Sequence, residues 1–139
     1  MDAVIAYIDG ASRGNPGDAG YGVQVCATSG EEITAFGDYL GRQTNNHAEY
    51  RALLAALRWA HASGVDDLQV CSDSQLLVRQ MNGDYRVKSA TLRPLYEEAR
   101  VLADRFDRFK IRHIPRGQNE AADTLANRAI DLAQQGDTG

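Results

Sequence analysis

A chain of 139 residues, 43% hydrophobic and 24% charged, has the length and composition of one globular domain with a single core. No apolar run approaches the roughly 18–20 residues that span a bilayer, and MDAVIAYIDG lacks the basic start and cleavage site of a signal peptide, so a cytoplasmic protein with no membrane partner is expected. The net charge of −4 argues at first against a nucleic-acid partner. Two cysteines, Cys26 and Cys71, make neither a disulfide framework nor a metal knuckle, and in their apolar runs they read as buried free thiols.

Ala3–Ile8 is a short apolar run closing at Asp9-Gly10, which predicts a buried strand. Gly10–Gly20 is rich in Gly, Asn and Pro and reads as a turn. Tyr21–Ala27 and Ile33–Leu40 are strands joined by a hairpin at Ser29-Gly30. Gly41–Asn46 leads into a helix on which Tyr50, Leu53, Leu54, Leu57, Ala60 and His61 recur as one stripe, ended by Ser63-Gly64. Leu68–Cys71 is a very short strand. Asp73-Ser74 can cap a helix Gln75–Met81 that stops at Asn82-Gly83. Thr91–Phe106 is a longer helix with Pro94 in its first turn, Phe109–Ile114 alternates as a fifth strand, and Pro115–Gln118 is a loop. Glu120–Leu132 is the final helix. Residues 1–133 then form one domain, with 134–139 a frayed tail. Three early strands followed by alternating helix and strand predict an α/β fold with a five-stranded mixed sheet, its first three strands antiparallel, flanked by about four helices.

Four acidic residues stand out once placed on these elements. Asp9 and Asp73 each end a strand, where α/β folds gather their sites. Glu49 and Asp123 fall in the first turns of helices, so all four can meet at one edge of the sheet. Each has an ordinary explanation by itself. Asp73 suits a helix cap, Glu49 a solvated helix face and Asp123 a helix N-terminus. Asp9, closing an apolar strand, is harder to explain that way. The charge is also unevenly spread: residues 1–69 carry −5 and residues 70–139 carry +1. Arg105, Arg108, Lys110, Arg112 and Arg116 lie in one short stretch against Asp107 alone.

The segments DGASRGNPG, TNNHAEY, SDSQ and NEAAD, in this order and near these spacings, resemble type 1 ribonuclease H from about Ala3 to Asn127. Each motif is weak alone and the four in register are specific. The resemblance implies the ribonuclease H-like fold and an endonuclease that cuts the RNA strand of an RNA–DNA hybrid, leaving 5′-phosphate and 3′-hydroxyl ends. Asp9, Glu49, Asp73 and Asp123 would hold two Mg²⁺, with Mn²⁺ a substitute, because hard cations take oxygen ligands. Two such ions about 4 Å apart activate a water on one side of the phosphate and stabilise the leaving oxygen on the other. Their charge would cancel the chain's −4. By the same likeness, backbone groups of Gly10, Ala11 and Ser12 read the 2′-hydroxyl, the group that separates RNA from DNA. Asn45, Asn46 and Gln75 match residues that contact the hybrid near the cut. Asn15, Arg42 and Thr44 match a pocket for a phosphate of the DNA strand, although Asn15-Pro16-Gly17 also makes a good turn and Thr44 or Asn45 a good helix cap.

Two departures bear on function. Many members carry a mobile histidine before the last acid, but HIPRGQNEAAD has none in its loop. His113 belongs to the predicted strand, so Arg116 is the expected helper, a cation with pKa above roughly 12 that orients phosphate rather than acting as a base. Some members also insert a Lys- and Trp-rich handle after the SDSQ helix. Here Asn82–Ala90 offers only Arg86 and Lys88, and the sole Trp, Trp59, lies in the first helix. This pattern, without a basic protrusion or a preceding hybrid-binding domain, is similar to an archaeal-like subgroup, some of whose members also cleave double-stranded RNA. A monomer is expected. A non-catalytic binding module on the same fold would have lost acids that are all present here. A DNA resolvase or exonuclease would not need the 2′-hydroxyl-reading DGAS and TNN.

Overall fold

The computed structural model describes residues 2–137, with the side chain of the last of these left aside. A five-stranded sheet in the order β3-β2-β1-β4-β5 forms the centre. Its strands are β1 (Ala3–Gly14), β2 (Gly17–Ala27), β3 (Glu32–Gln43), β4 (Asp67–Ser72) and β5 (Arg108–His113). The helices are α1 (Asn45–Ala62), α2 (Gln75–Met81), α3 (Arg93–Ala103) and α4 (Glu120–Asp137), with a 3₁₀ turn at Arg116–Gln118. The first three strands are antiparallel, and β4 and β5 are parallel to β1. Among the described residues, no helix is long and apolar enough to cross a membrane.

Several expected boundaries move, each for a physical reason. Gly10–Gly20 is not an extended turn. β1 and β2 stay paired up to Gly14–Gly17, leaving only Asn15-Pro16, joined by a cis bond, at the tip. Asp9 therefore lies inside β1. What ends beside it is the parallel ladder with β4, whose last pair is Ile8 with Ser72. Asp9 and Asp73 are each the next residue past that pair. Glu49 sits in the second turn of α1, since no acid occupies the first. His61 is exposed in the last turn of α1, outside the buried stripe. α4 continues past Leu132 to Asp137, so residues 134–137 of the expected tail are helical, while 138 and 139 lie outside the described residues. Both cysteines are buried and free.

The main core fills one side of the sheet. Val4, Ala6, Ile8, Val23, Val25, Leu68, Val70 and Ile111 face the buried stripe of α1, together with Leu77 and Met81 of α2 and Ala99 of α3. Alternation along each strand turns the neighbouring residues to the other side. There α4 packs on β1, β2 and β3 in a different manner. Its backbone comes down onto three glycines. A Cβ on Gly22 would stand 2.2 Å from the carbonyl oxygen of Ala122, and one on Gly20 would stand 2.8 Å from that of Ala126. A Cβ on Gly37 would meet Tyr21 O at 2.5 Å and Leu125 O at 3.2 Å. The opposite face has a matching point at Gly10, whose Cβ would fall 2.3 Å from the backbone of Ala48 and Glu49 in α1.

These approaches leave backbone no room to yield. Gly22→Ala is expected to destabilise the fold by about 1–3 kcal/mol or more, as overpacking does, whereas Gly117→Ala, with nothing within 4 Å of its Cβ, is expected to leave stability within roughly 0.5 kcal/mol. Chemical denaturation of the two variants checks this; equal midpoints would contradict the close-packed trough.

Candidate active site

Asp9 is the centre of a cavity of about 390 Å³ at the end of the β1–β4 ladder. Gly10, Ala11, Ser12, Asn45, Asn46, Glu49, Asp73, Ser74, Arg116 and Asp123 line it with Asp9. Carboxylate oxygens of Asp9, Glu49 and Asp73 all lie within 4.8 Å of one another, a spacing that can hold a metal ion. Asp123 stands at the cavity's open side, exposed, and its carboxyl is close enough to hydrogen-bond Asp9.

Local structure puts each acid there. Gly10 N–H donates to Glu49 Oε1 at 2.9 Å, and the missing Gly10 side chain admits α1. The smallness of Gly10 is thus needed by a helix of the protein itself, whatever a ligand also gains from it. Ser74, not Asp73, caps α2: its hydroxyl accepts from Leu77 N–H at 3.2 Å, which leaves Asp73 free to face the cavity. Gly22 is the β2 partner of Asp9, and Ala122 rests on it, so Asp123 follows directly beside Asp9.

Two asparagines not foreseen from the sequence hold the acids in place. Asn119, 1% exposed, donates from Nδ2 to Ile8 O at 2.8 Å and to Asp73 Oδ2 at 3.3 Å. Asn127 donates to Asp123 Oδ1 at 3.2 Å from one helical turn away. Both belong to the GQNEAADTLAN segment, and the i, i+4 spacing of Asp123 and Asn127 is the only hint of either role that the sequence carries.

The other expected contact residues fall into two places. Asn15 Oδ1 accepts from Asn45 N–H at 3.1 Å, and Thr44 Oγ1 caps α1 by accepting from His47 N–H at 3.2 Å. Arg42 is exposed on β3 nearby, paired across the ladder with Asp18, so Asn15, Arg42 and Thr44 stand together beside the hairpin tip. Ser12 donates to Gln43 O at 2.8 Å and so ties this tip to β3. Gln75 is exposed at the first residue of α2 and outside the cavity lining. Arg116 lines the cavity and its charge acts on Glu49. His113, at the exposed end of β5, does not line it.

The electrostatics of the acids are severe. Burial, then the charges of Glu49, Asp73 and Asp123, push Asp9 up to about 9. Burial pushes Glu49 up to about 8, against the Gly10 N–H bond that favours its ionised form. Glu49 Oε2 is buried without a hydrogen-bond partner. A cluster of carboxylate oxygens with an orphaned acceptor inside it has the donor set of a hard divalent cation.

Comparison with known proteins agrees with this geometry. The family described as reverse transcriptase-like matches residues 7–129. A ribonuclease HI of Halobacterium salinarum is 47% identical over 94% of this chain and 65% of its own length. The crystal structure of that organism's RNase H1 superposes with a TM-score of 0.90 at 46% identity, covering 93% of this chain and 98% of the other. The chain belongs to the type 1 ribonuclease H family. LC11-RNase H1, solved in complex with an RNA/DNA hybrid, has a TM-score of 0.90 at 39% identity, covering 94% of this chain and 99% of its own. A bifunctional protein of Mycobacterium tuberculosis is 44% identical over 95% of this chain but only 36% of itself. The chain thus spans between about a third and two thirds of the curated relatives it matches first. The connection between α2 and α3 is where the resemblance leads a basic handle to be expected. Here that connection is the short stretch from 82 to 92.

Raised carboxyl pKa values mean that the folded protein binds protons the unfolded chain has released. Asp9 and Glu49 therefore favour folding below about pH 4, and that contribution is lost as pH rises towards 8–9. In chelator-containing buffer, Asp9→Asn is expected to raise Tm at pH 8 and to flatten the decline in Tm between pH 5 and pH 9. Thermal melts across that range check it; a wild-type Tm that falls with pH no more steeply than the variant's would contradict the assignment.

Proposed function

We propose that this protein is an endonuclease that hydrolyses the RNA strand of RNA–DNA hybrids with divalent metal ions, leaving 5′-phosphate and 3′-hydroxyl ends. The observation that carries the reading is the convergence of Asp9, Glu49, Asp73 and Asp123 on one cavity, three of them within 4.8 Å. The likeness to a relative solved with a hybrid supports the substrate. Asp9, Glu49, Asp73 and Asp123 would hold Mg²⁺, or Mn²⁺ in its place, through oxygen ligands alone. When bound, such ions activate the attacking water and stabilise the leaving 3′-oxygen.

The chain's own groups do the rest. Asn119 and Asn127 fix the carboxylates of Asp73 and Asp123 before any ligand arrives. Gly10, Ala11, Ser12, Asn45 and Asn46 line the same cavity and present backbone and amide groups to a ribose, where a 2′-hydroxyl can both donate and accept. Arg116 adds a fixed positive charge beside the acids and orients the phosphate without taking a proton. Asn15, Arg42 and Thr44 offer a second anchor for a phosphate of the DNA strand, with Gln75 at the margin of the cut. A monomer acting in the cytoplasm completes the reading. The short 82–92 connection, lacking a basic handle, also keeps double-stranded RNA in view as a second substrate.

Labelled hybrid, duplex RNA, duplex DNA and single strands, each with and without Mg²⁺, test the reading. Hybrid is expected to be cut only with metal, and Asp9→Asn to lower turnover by more than the roughly 10–100-fold typical of losing a residue that merely supports a ligand. Asn119→Ala is expected within that 10–100-fold range, seen as weaker metal affinity. Intact hybrid in the presence of Mg²⁺ would sink the proposal.

The helper residue has a separate comparison. Arg116→Ala is expected to lower turnover more than His113→Ala under single-turnover conditions. The reverse order would assign the role to His113.

A further inference from the structure

The basic stretch noticed in the sequence has a place of its own in the fold. Arg108, Lys110 and Arg112 alternate along β5 with Phe109 and Ile111, which pack towards the core. The three cations therefore share the opposite side of the sheet. α4 makes its main contacts on that side with β1, β2 and β3, and towards β5 the side chains of the edge strand are exposed, while Cys71 of β4 beneath them is fully buried. All three are exposed, and among the described residues none forms an ion pair. Asp67, the register partner of Arg108, is the one carboxylate directly across the ladder on that side.

Beneath the cations the side is closed at Cys71, whose buried thiol feels the Arg112 charge, and it opens again towards β1. Register places Tyr7, Cys71 and Arg112 in one row across β1, β4 and β5, with Ile5, Gln69 and Lys110 in the next. Tyr7 is half-buried and lies about 10 Å from β5, two strand spacings away. Beside it opens a cavity of about 370 Å³ whose lining includes Tyr7, Gln24, Gln118 and Asn119, with one carboxylate, Glu120. Asn119 Oδ1 has no hydrogen-bond partner there.

We propose that this face binds single-stranded nucleic acid, such as the unpaired strand flanking a hybrid, with its phosphates along Arg108, Lys110 and Arg112 and its bases turned inward to Tyr7. Successive cations stand about 6.6 Å apart along the strand, close to the spacing of phosphates in an extended single strand. Aromatic groups beside a basic track are how sequence-tolerant binders hold such strands. β5 then runs on to Arg116, so the track leads from the edge of the sheet to the acidic cavity. Its use in guiding substrate rests on the nuclease reading; the binding itself does not.

Arg108→Gln/Lys110→Gln/Arg112→Gln and Tyr7→Leu test this by fluorescence anisotropy with a labelled oligodeoxythymidine, across a range of salt. For wild type, log affinity is expected to fall with log salt, and the triple variant to lose about 2 from that slope, three phosphates at roughly 0.7 each. Tyr7→Leu should weaken binding with the slope kept. Turnover of blunt hybrid should be unchanged in the triple variant, while KM for a hybrid with a single-stranded tail rises. An unchanged slope in the triple variant would overturn the proposal. So would equal competition by polyglutamate, which would point to an acidic protein instead. Failure of wild type to cut any hybrid would remove the nuclease reading and leave the single-strand result standing.

Discussion

Two helices touch the β1–β2 pair around Asp9 backbone to backbone, and the geometry of the site depends on those contacts. Gly10 admits α1 from one side of the sheet, and Gly22, the β2 partner of Asp9, admits α4 from the other. Any side chain at either position would meet carbonyl or amide atoms that cannot rotate away. Because the approach is so close, Glu49 and Asp123 arrive beside Asp9 without long, flexible reach. Short carboxylate side chains on rigid elements are held more precisely than the same groups on loops.

This rigidity has an electrostatic cost. Four carboxyl groups around one cavity repel, and burial of Asp9 and Glu49 removes the water that would soften the repulsion. Protons or cations must relieve it. A fold that keeps such a cluster is less stable by itself than a neutral one would be, which is common where function is built into a structure. The neighbouring groups are arranged to hold the cluster rather than to neutralise it. Gly10 N–H, Asn119 and Asn127 donate hydrogen bonds to three of the four acids, and among the described residues Arg116 is the one cation lining the cavity.

Charge elsewhere is separated by the sheet's own alternation. The acidic cavity lies at the end of the β1–β4 ladder, while the cations of β5 stand exposed on an edge strand that leads towards it. A net charge of −4 describes neither surface. What a phosphate meets depends on which side and which edge it approaches, so overall charge is a weak guide to partners for a domain of this kind.

The sequence by itself determined the order of elements, the apolar stripe of α1, the cap and length of α2, and the four acidic motifs, because periodicity, capping and turn chemistry are local. It placed Gly10–Gly20 in a turn because glycine-rich segments usually are turns; in the fold those glycines are strand residues, and the bare faces of Gly10 and Gly20 receive helices, which no local pattern reveals. Asn119 was equally hidden, since its partners Ile8 and Asp73 are far away in the chain. The cations of β5 were visible as a cluster, but only the sheet decided that they share a face and stand exposed on it. The identity of the acids is written in the chain; their convergence is decided by long-range backbone contacts, because a distance between elements depends on what packs between them.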